Sequence, residues 1–180
     1  MMSGGQGDER SGKMLIRKMT GEDAEAVSAL VFRSYDQVLV HYQSPEVLAS
    51  FREHETPEGL RQQLGRKQLF VAEDAGRVVA VGGLGWMDAP YLPREVQAEA
   101  YAPGADRRIT NLFVAVDLIG RGIGRMLLDH LVALAQAAGA RRLHVASAPN
   151  AVSFYERAGF TIDPDPPVEI PEITWLVREF

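Results

Sequence analysis

A single domain of the α/β or α+β class is what the sequence predicts, and three observations carry that prediction. Short apolar runs of strand length are mixed along the chain with stretches whose apolar residues recur at helical spacing. No repeat and no linker interrupts them. The 180 residues, 46% hydrophobic and 24% charged, are enough for one well-buried core of ordinary size. The domain is expected over residues 13–180. Residues 1–12 are rich in glycine, serine and charge, lack the apolar stretch of a secretory signal, and read as a mobile N-terminal tail.

The elements follow in order. Met14 to Met19 reads as a short strand. Thr20 is a helix N-cap with Asp23 three residues on, and Ala24, Val27, Leu30 and Val31 then step along one helical face. A second helical stretch runs from about Pro45 to Phe51. A third starts at Thr56, with Pro57 at the first helical position and Leu60 and Leu64 behind it. The period then changes. Apolar runs on either side of Asp74, Ala75, Gly76 and Arg77 predict a hairpin, and Gly82 and Gly83 near its end suggest a bulge or a close backbone approach. From Trp86 to Asp106 the text is irregular, with three prolines and a short helix expected near Glu95 to Ala100. Long loops of this kind are often functional, and Trp86, Met87 and Tyr91 are candidates to line an acceptor pocket. Ile109 to Val116 is a buried-strand run. The clearest helix in the chain follows it, from Ile123 to Ala138, with His130 on its apolar face and Gly139 ending it. Leu143 to Ala146 is a strand, Ala151 to Arg157 a short helix, and Ile173 to Val177 a closing strand.

Composition excludes several functions. The net charge of −5 argues against a nucleic-acid binder, because a phosphate backbone demands a basic face. There are no cysteines, so disulfides, thiolate metal sites and cysteine nucleophiles are out. No apolar run approaches the roughly 20 residues of a membrane helix. No nucleic-acid or membrane partner is therefore expected, and a cytoplasmic location is the default. His41, His54, His130 and His144 show no metal spacing. Glu53, His54 and Glu55 read as a solvated helix end.

The chemistry concentrates between Leu112 and Leu128, a strand, a glycine-rich turn and a helix. Gly120, Gly122 and Gly124 let the backbone turn tightly and present N–H groups at a helix start, where the dipole favours an anion. A diphosphate is the natural guest. On glycine spacing alone, an ordinary loop capping a helix fits as well. A Walker loop fails, since Arg125 and Met126 stand where Lys and Ser or Thr are needed. A dinucleotide fingerprint fails too, because Gly120, Gly122 and Arg125 do not complete it.

This segment resembles the main acetyl-CoA motif of the GNAT superfamily, Gln/Arg-x-x-Gly-x-Gly/Ala before a long helix. Gly122 and Gly124 match its small positions, while Ile119 stands where the family has Gln or Arg. Downstream, Asn150, Phe154, Tyr155, Gly159 and Phe160 are similar to the second motif, Asn-x-x-x-Phe-Tyr-x-x-x-Gly-Phe. The resemblance is specific from about Ile109 to Phe160. It implies a GNAT fold, a twisted mixed sheet flanked by helices, with the cofactor in a splay between strands beginning near Ile109 and Arg142.

The resemblance also implies roles. Leu112, Phe113 and Val114 would offer backbone hydrogen bonds to the pantetheine arm. The diphosphate would lie on Ile119, Gly120, Arg121, Gly122, Ile123 and Gly124, with Arg125 beside it. Asn150 would bond the cofactor arm, or cap the helix after it, or both. Tyr155 would be the general acid for the leaving thiolate. Many relatives carry a Glu base at the start of the preceding strand, but that place holds Arg108. Deprotonation is then expected through water, Asp106, or a residue of the first helices such as Glu55 or His54. Arg107 and Arg108 suit an acidic group on the acceptor, though a solvated loop pair is the stronger reading of them.

The implied function is transfer of the acetyl group of acetyl-CoA, as co-substrate and without a metal, to a primary amine of a small molecule or peptide. A non-catalytic acyl-CoA-binding or regulatory domain on the same fold is the alternative. The apolar closing strand leaves a homodimer open, by pairing across it.

Overall fold

The computed structural model describes residues 14–86, 106–167 and 169–180. The expected tail, the helix near Glu95, Met87 and Tyr91 lie outside them. Seven strands form one sheet: β1 (Leu15–Lys18), β2 (Gln68–Asp74), β3 (Arg77–Trp86), β4 (Arg107–Val114), β5 (Arg142–Ser147), β6 (Thr161–Ile162) and β7 (Thr174–Glu179). Their order is β1-β2-β3-β4-β5-β7-β6, antiparallel throughout except for the parallel pair β4–β5. The mixed sheet has helices on both faces, as expected.

One face carries α1 (Ala24–Gln37), α2 (Pro45–Arg52) and α3 (Pro57–Gln63) over Leu69, Val71 and Val81. The other carries α4 (Ile123–Ala137) and α5 (Val152–Glu156) over Phe70, Ala80, Ile109 and Val145. Local chemistry sets the ends. The Thr56 hydroxyl accepts from Gly59 N–H at 3.1 Å, with Pro57 at the first helical position. Asp23 accepts from the Thr20 N–H at 2.8 Å and closes the start of the first helix. The β2–β3 hairpin turns at Ala75 (φ 49°) and Gly76 (φ 81°), the paired left-handed residues that a tight hairpin of native twist requires.

Two departures bear on the sequence reading. β7 is an inner strand, paired with β5 along its length and with β6 at Val177 and Leu176. Arg107 and Arg108 are not in a loop, since both lie in β4, and Arg107 is buried with its guanidinium 4.6 Å over the Trp86 ring.

Candidate active site

The site is built where β4 parts from β5. Their pairing covers only Arg107 to Ile109 against Leu143 to Val145. Beyond it the two strands are no longer paired with each other. Ala115 N–H donates to Val79 O at 2.8 Å, so strand alternation turns the polar groups of Val114 towards the gap and those of Phe113 towards β3. Of the three residues expected to offer backbone bonds, Val114 is thus the clearest donor, while Phe113 is engaged in the ladder with Val81.

A bulge precedes this. Gly83 pairs with Thr110 but Val81 pairs with Phe113, so β4 carries one extra residue opposite Gly82, and Asn111 is held at φ 52°. The glycines of β3 make room for it. A Cβ at Gly83 would lie 2.4 Å from Thr110 Oγ1, and one at Gly82 about 3 Å from the side chains of Leu131, Leu112 and Leu127.

The glycine-rich turn lies at the far end of β4. Gly120 (φ 85°) and Gly122 (φ 82°) are left-handed with open space around them, so backbone conformation demands glycine there. Gly124 is close-packed instead: a Cβ would approach Val114 Cγ2 to 3.3 Å. Met126 N–H opens the helical ladder on Gly122 O. The N–H groups of Gly120, Gly122, Ile123, Gly124 and Arg125 find no acceptor among the described residues. Five free N–H groups around a helix start make a cradle for an anion.

Other expected residues contribute less. Ile119 N–H is directed at Val116 O and its side chain is exposed, which keeps it to the wall of the turn. Arg121 donates its N–H to Leu118 O at 3.3 Å and does not line the cavity. The Arg125 guanidinium is tied to Asp129 at 2.9 Å and to Arg157 O at 3.2 Å, so its backbone is the part left for a ligand.

Turn, splay and the α1–α3 face open into one cavity of about 860 Å³. Asn150 and Tyr155 both line it. Asn150 is exposed and caps no helix; Ala151 holds the cap position of α5 without a side-chain bond. Tyr155 is 5% exposed and packs edge-on against Phe154 and Phe160 at 5.0 and 5.8 Å. Burial raises its phenol well above the usual range, and no described group hydrogen-bonds its hydroxyl.

Asp106 is spent elsewhere. It accepts from Arg142 at 2.9 and 2.6 Å and lies outside the cavity lining, which removes it as a base. Glu55 overturns the solvated reading of its segment. It is 9% exposed, lines the cavity, and accepts from Asn111 Nδ2 at 2.7 and 2.9 Å. Asn111 Oδ1 accepts in turn from Lys67 Nζ at 2.5 Å. Burial raises the Glu55 carboxyl and lowers Lys67 to about 8. Sequence reasoning missed Asn111 and Lys67; an amide beside Thr110 inside an otherwise apolar strand run was the signal for the first. Among the described residues no group of three or more His, Asp or Glu side chains is placed to hold a metal ion.

A model of the acetyltransferase (GNAT) domain matches residues 34–176, which span both the bulged strand and the cradle. The chain belongs to the GNAT family. Solved structures agree on the fold. The GNAT chain is similar to the PaiA N-acetyltransferase of Thermoplasma acidophilum in complex with coenzyme A, at TM-score 0.73 and 15% identity over 93% of this chain and 99% of that one. It is similar to a GCN5-related N-acetyltransferase of Rhodopseudomonas palustris, at TM-score 0.69 and 24% identity over 92% and 95%. The N-acetylglutamate synthase of Neisseria gonorrhoeae, complexed with coenzyme A and N-acetyl-glutamate, matches at TM-score 0.64 and 19% identity over 92% of this chain and 35% of that one. No curated protein matches significantly.

Proposed function

We propose that this GNAT chain is an acetyl-CoA-dependent N-acetyltransferase that moves the acetyl group directly to a primary amine. One observation carries the reading: a single cavity joins the N–H cradle at Gly120 to Arg125, the open rim of β4, Tyr155 and the buried charges beside Asn111. Two of the solved neighbours hold coenzyme A, which supports the cofactor assignment.

The residues present fit that cofactor. The five N–H groups suit a diphosphate, Val114 and Leu112 suit the amides of the arm, and Asn150 can donate and accept along it. When bound, acetyl-CoA supplies an activated acyl thioester. The chain's own task is to orient an amine and to handle protons. The amine enters from the α1–α3 face, its nitrogen bonds to the acyl carbon, and the C–S bond breaks. One proton leaves the acceptor ammonium before attack, and the second passes from the new amide nitrogen to the thiolate.

Tyr155 serves the thiolate. A phenol whose pKa lies far above that of a thiol does not surrender its proton outright. It stabilises the developing negative charge by hydrogen bonding and relays the proton as it arrives. The acceptor is a small molecule or a peptide. Thiol release from acetyl-CoA, measured against a panel of amines, tests the reading. Amine-dependent release supports it, and tight coenzyme A binding without release from any amine supports a non-catalytic binding domain instead.

A further inference from the structure

Lysine is scarce in this chain. Of its 19 basic residues only Lys13, Lys18 and Lys67 are lysines, and the rest are arginines. Lys18 is exposed on β1. Lys67 stands just ahead of β2 and lines the cavity. Its stem passes over β3 at Gly85, where an added Cβ would lie 3.5 Å from Lys67 Cβ. The ammonium then donates to Asn111 Oδ1 at 2.5 Å. That bond, added to the short covalent reach of the asparagine side chain, keeps Nζ within roughly 6 Å of the β4 bulge. An arm anchored at the Gly120 to Arg125 cradle and bonded by Val114 and then Leu112 would run along β4 towards Asn111, the next residue on. Its thioester would end at the bulge, on the cavity wall that carries Lys67.

We propose that Lys67 is a self-acetylation site: with no acceptor in the cavity, its amine takes the acetyl group of the bound thioester and becomes a neutral amide. This goes beyond the acetyltransferase reading and rests on it. The Lys67 ammonium gives one proton to solvent, Nζ bonds to the acyl carbon, the C–S bond breaks, and the departing thiolate takes the second proton. Lysine can do this where arginine cannot, because an ammonium surrenders its proton on burial and a guanidinium does not. Burial lowers Lys67 to about 8 against the pull of Glu55, and Arg108 adds to the lowering. A part of the population is therefore neutral near that pH without a base of its own. Holding amine and thioester in one cavity replaces a collision by an intramolecular step, which favours Lys67 over any lysine that meets acetyl-CoA from solution.

The test incubates the full chain with acetyl-CoA and no amine, then follows the intact mass and maps the modified peptides. Lys18 reports acetylation from solution in the same sample. The expected result is one acetyl group per chain, placed on Lys67 at least about tenfold faster than on Lys18. Excess coenzyme A slows the reaction at Lys67 and leaves Lys18 untouched, because it competes for the cavity alone. Lys67→Arg and Lys67→Met, each checked by circular dichroism and by calorimetry with coenzyme A, lose the fast increment. Equal rates at Lys67 and Lys18, no protection by coenzyme A, or a fast increment that survives in both variants overturns the inference. Coenzyme A binding with Lys67 left unmodified overturns it too, and leaves the acetyltransferase reading to the amine panel. Absence of coenzyme A binding overturns that reading, and this inference with it.

Discussion

Among the described residues the Tyr155 hydroxyl has no hydrogen-bond partner even though its ring is packed on two sides, and burial holds the phenol neutral across the working range. A group so placed is worth most when charge develops beside it. Tyr155→Phe is expected to lower kcat about 100-fold, with coenzyme A binding unchanged by calorimetry. Gly122 makes the opposite contribution. It sits at φ 82° with nothing within 4 Å of a Cβ, so Gly122→Ala meets backbone strain and no clash. That strain costs about 1–2 kcal/mol. It appears as weaker coenzyme A binding at near-native fold, read by calorimetry beside circular dichroism. Glu55 shows where residue-level reading of a sequence stops. Its neighbours Glu53 and His54 are exposed, so a string of polar residues looked solvated. Its burial comes from Ser28, 27 positions back, and Asn111, 56 positions on. No local pattern records those partners.

At the scale of elements, α4 connects core and site. Leu127, Leu128 and Leu131 are fully buried against β3 and β4, and the start of the same helix supplies the cradle. Leu127→Ala is expected to destabilise the fold by about 2–5 kcal/mol in urea unfolding, through the cavity it leaves. The helices with strong local grammar were legible: the Thr56 cap, the hairpin at Ala75 and Gly76, and the amphipathic run of α4 all lie where spacing and turn chemistry put them. Elements defined by partners were not. Thr161 and Ile162 form a two-residue strand only because Val177 and Leu176 pair with them. The β4 bulge depends on Gly82 and Gly83 of the neighbouring strand, and sequence placed the irregularity near those glycines rather than at Asn111.

For the whole molecule, Arg17 ties β1 to the start of the first helix through Asp23 and to β2 through Glu73. The Arg17 guanidinium, helped by the Thr20 N–H, lowers the Asp23 carboxyl to about 2. Between that value and the ordinary 3.8, the unfolded chain binds a proton that the folded chain does not. Stability from this pair is therefore complete above about pH 4 and is lost as pH falls through about 2, by ~2 kcal/mol. Thermal denaturation across that window checks it, and Asp23→Asn is expected to flatten the slope.

The central claim is that the backbone at Gly120 to Arg125 holds the diphosphate of coenzyme A. Calorimetric titration of coenzyme A and of pantetheine, which lacks the diphosphate, into the same protein tests it most directly. Coenzyme A is expected to bind at least about 100-fold more tightly, the share a multiply bonded anion contributes. Equal affinity for pantetheine would contradict the account.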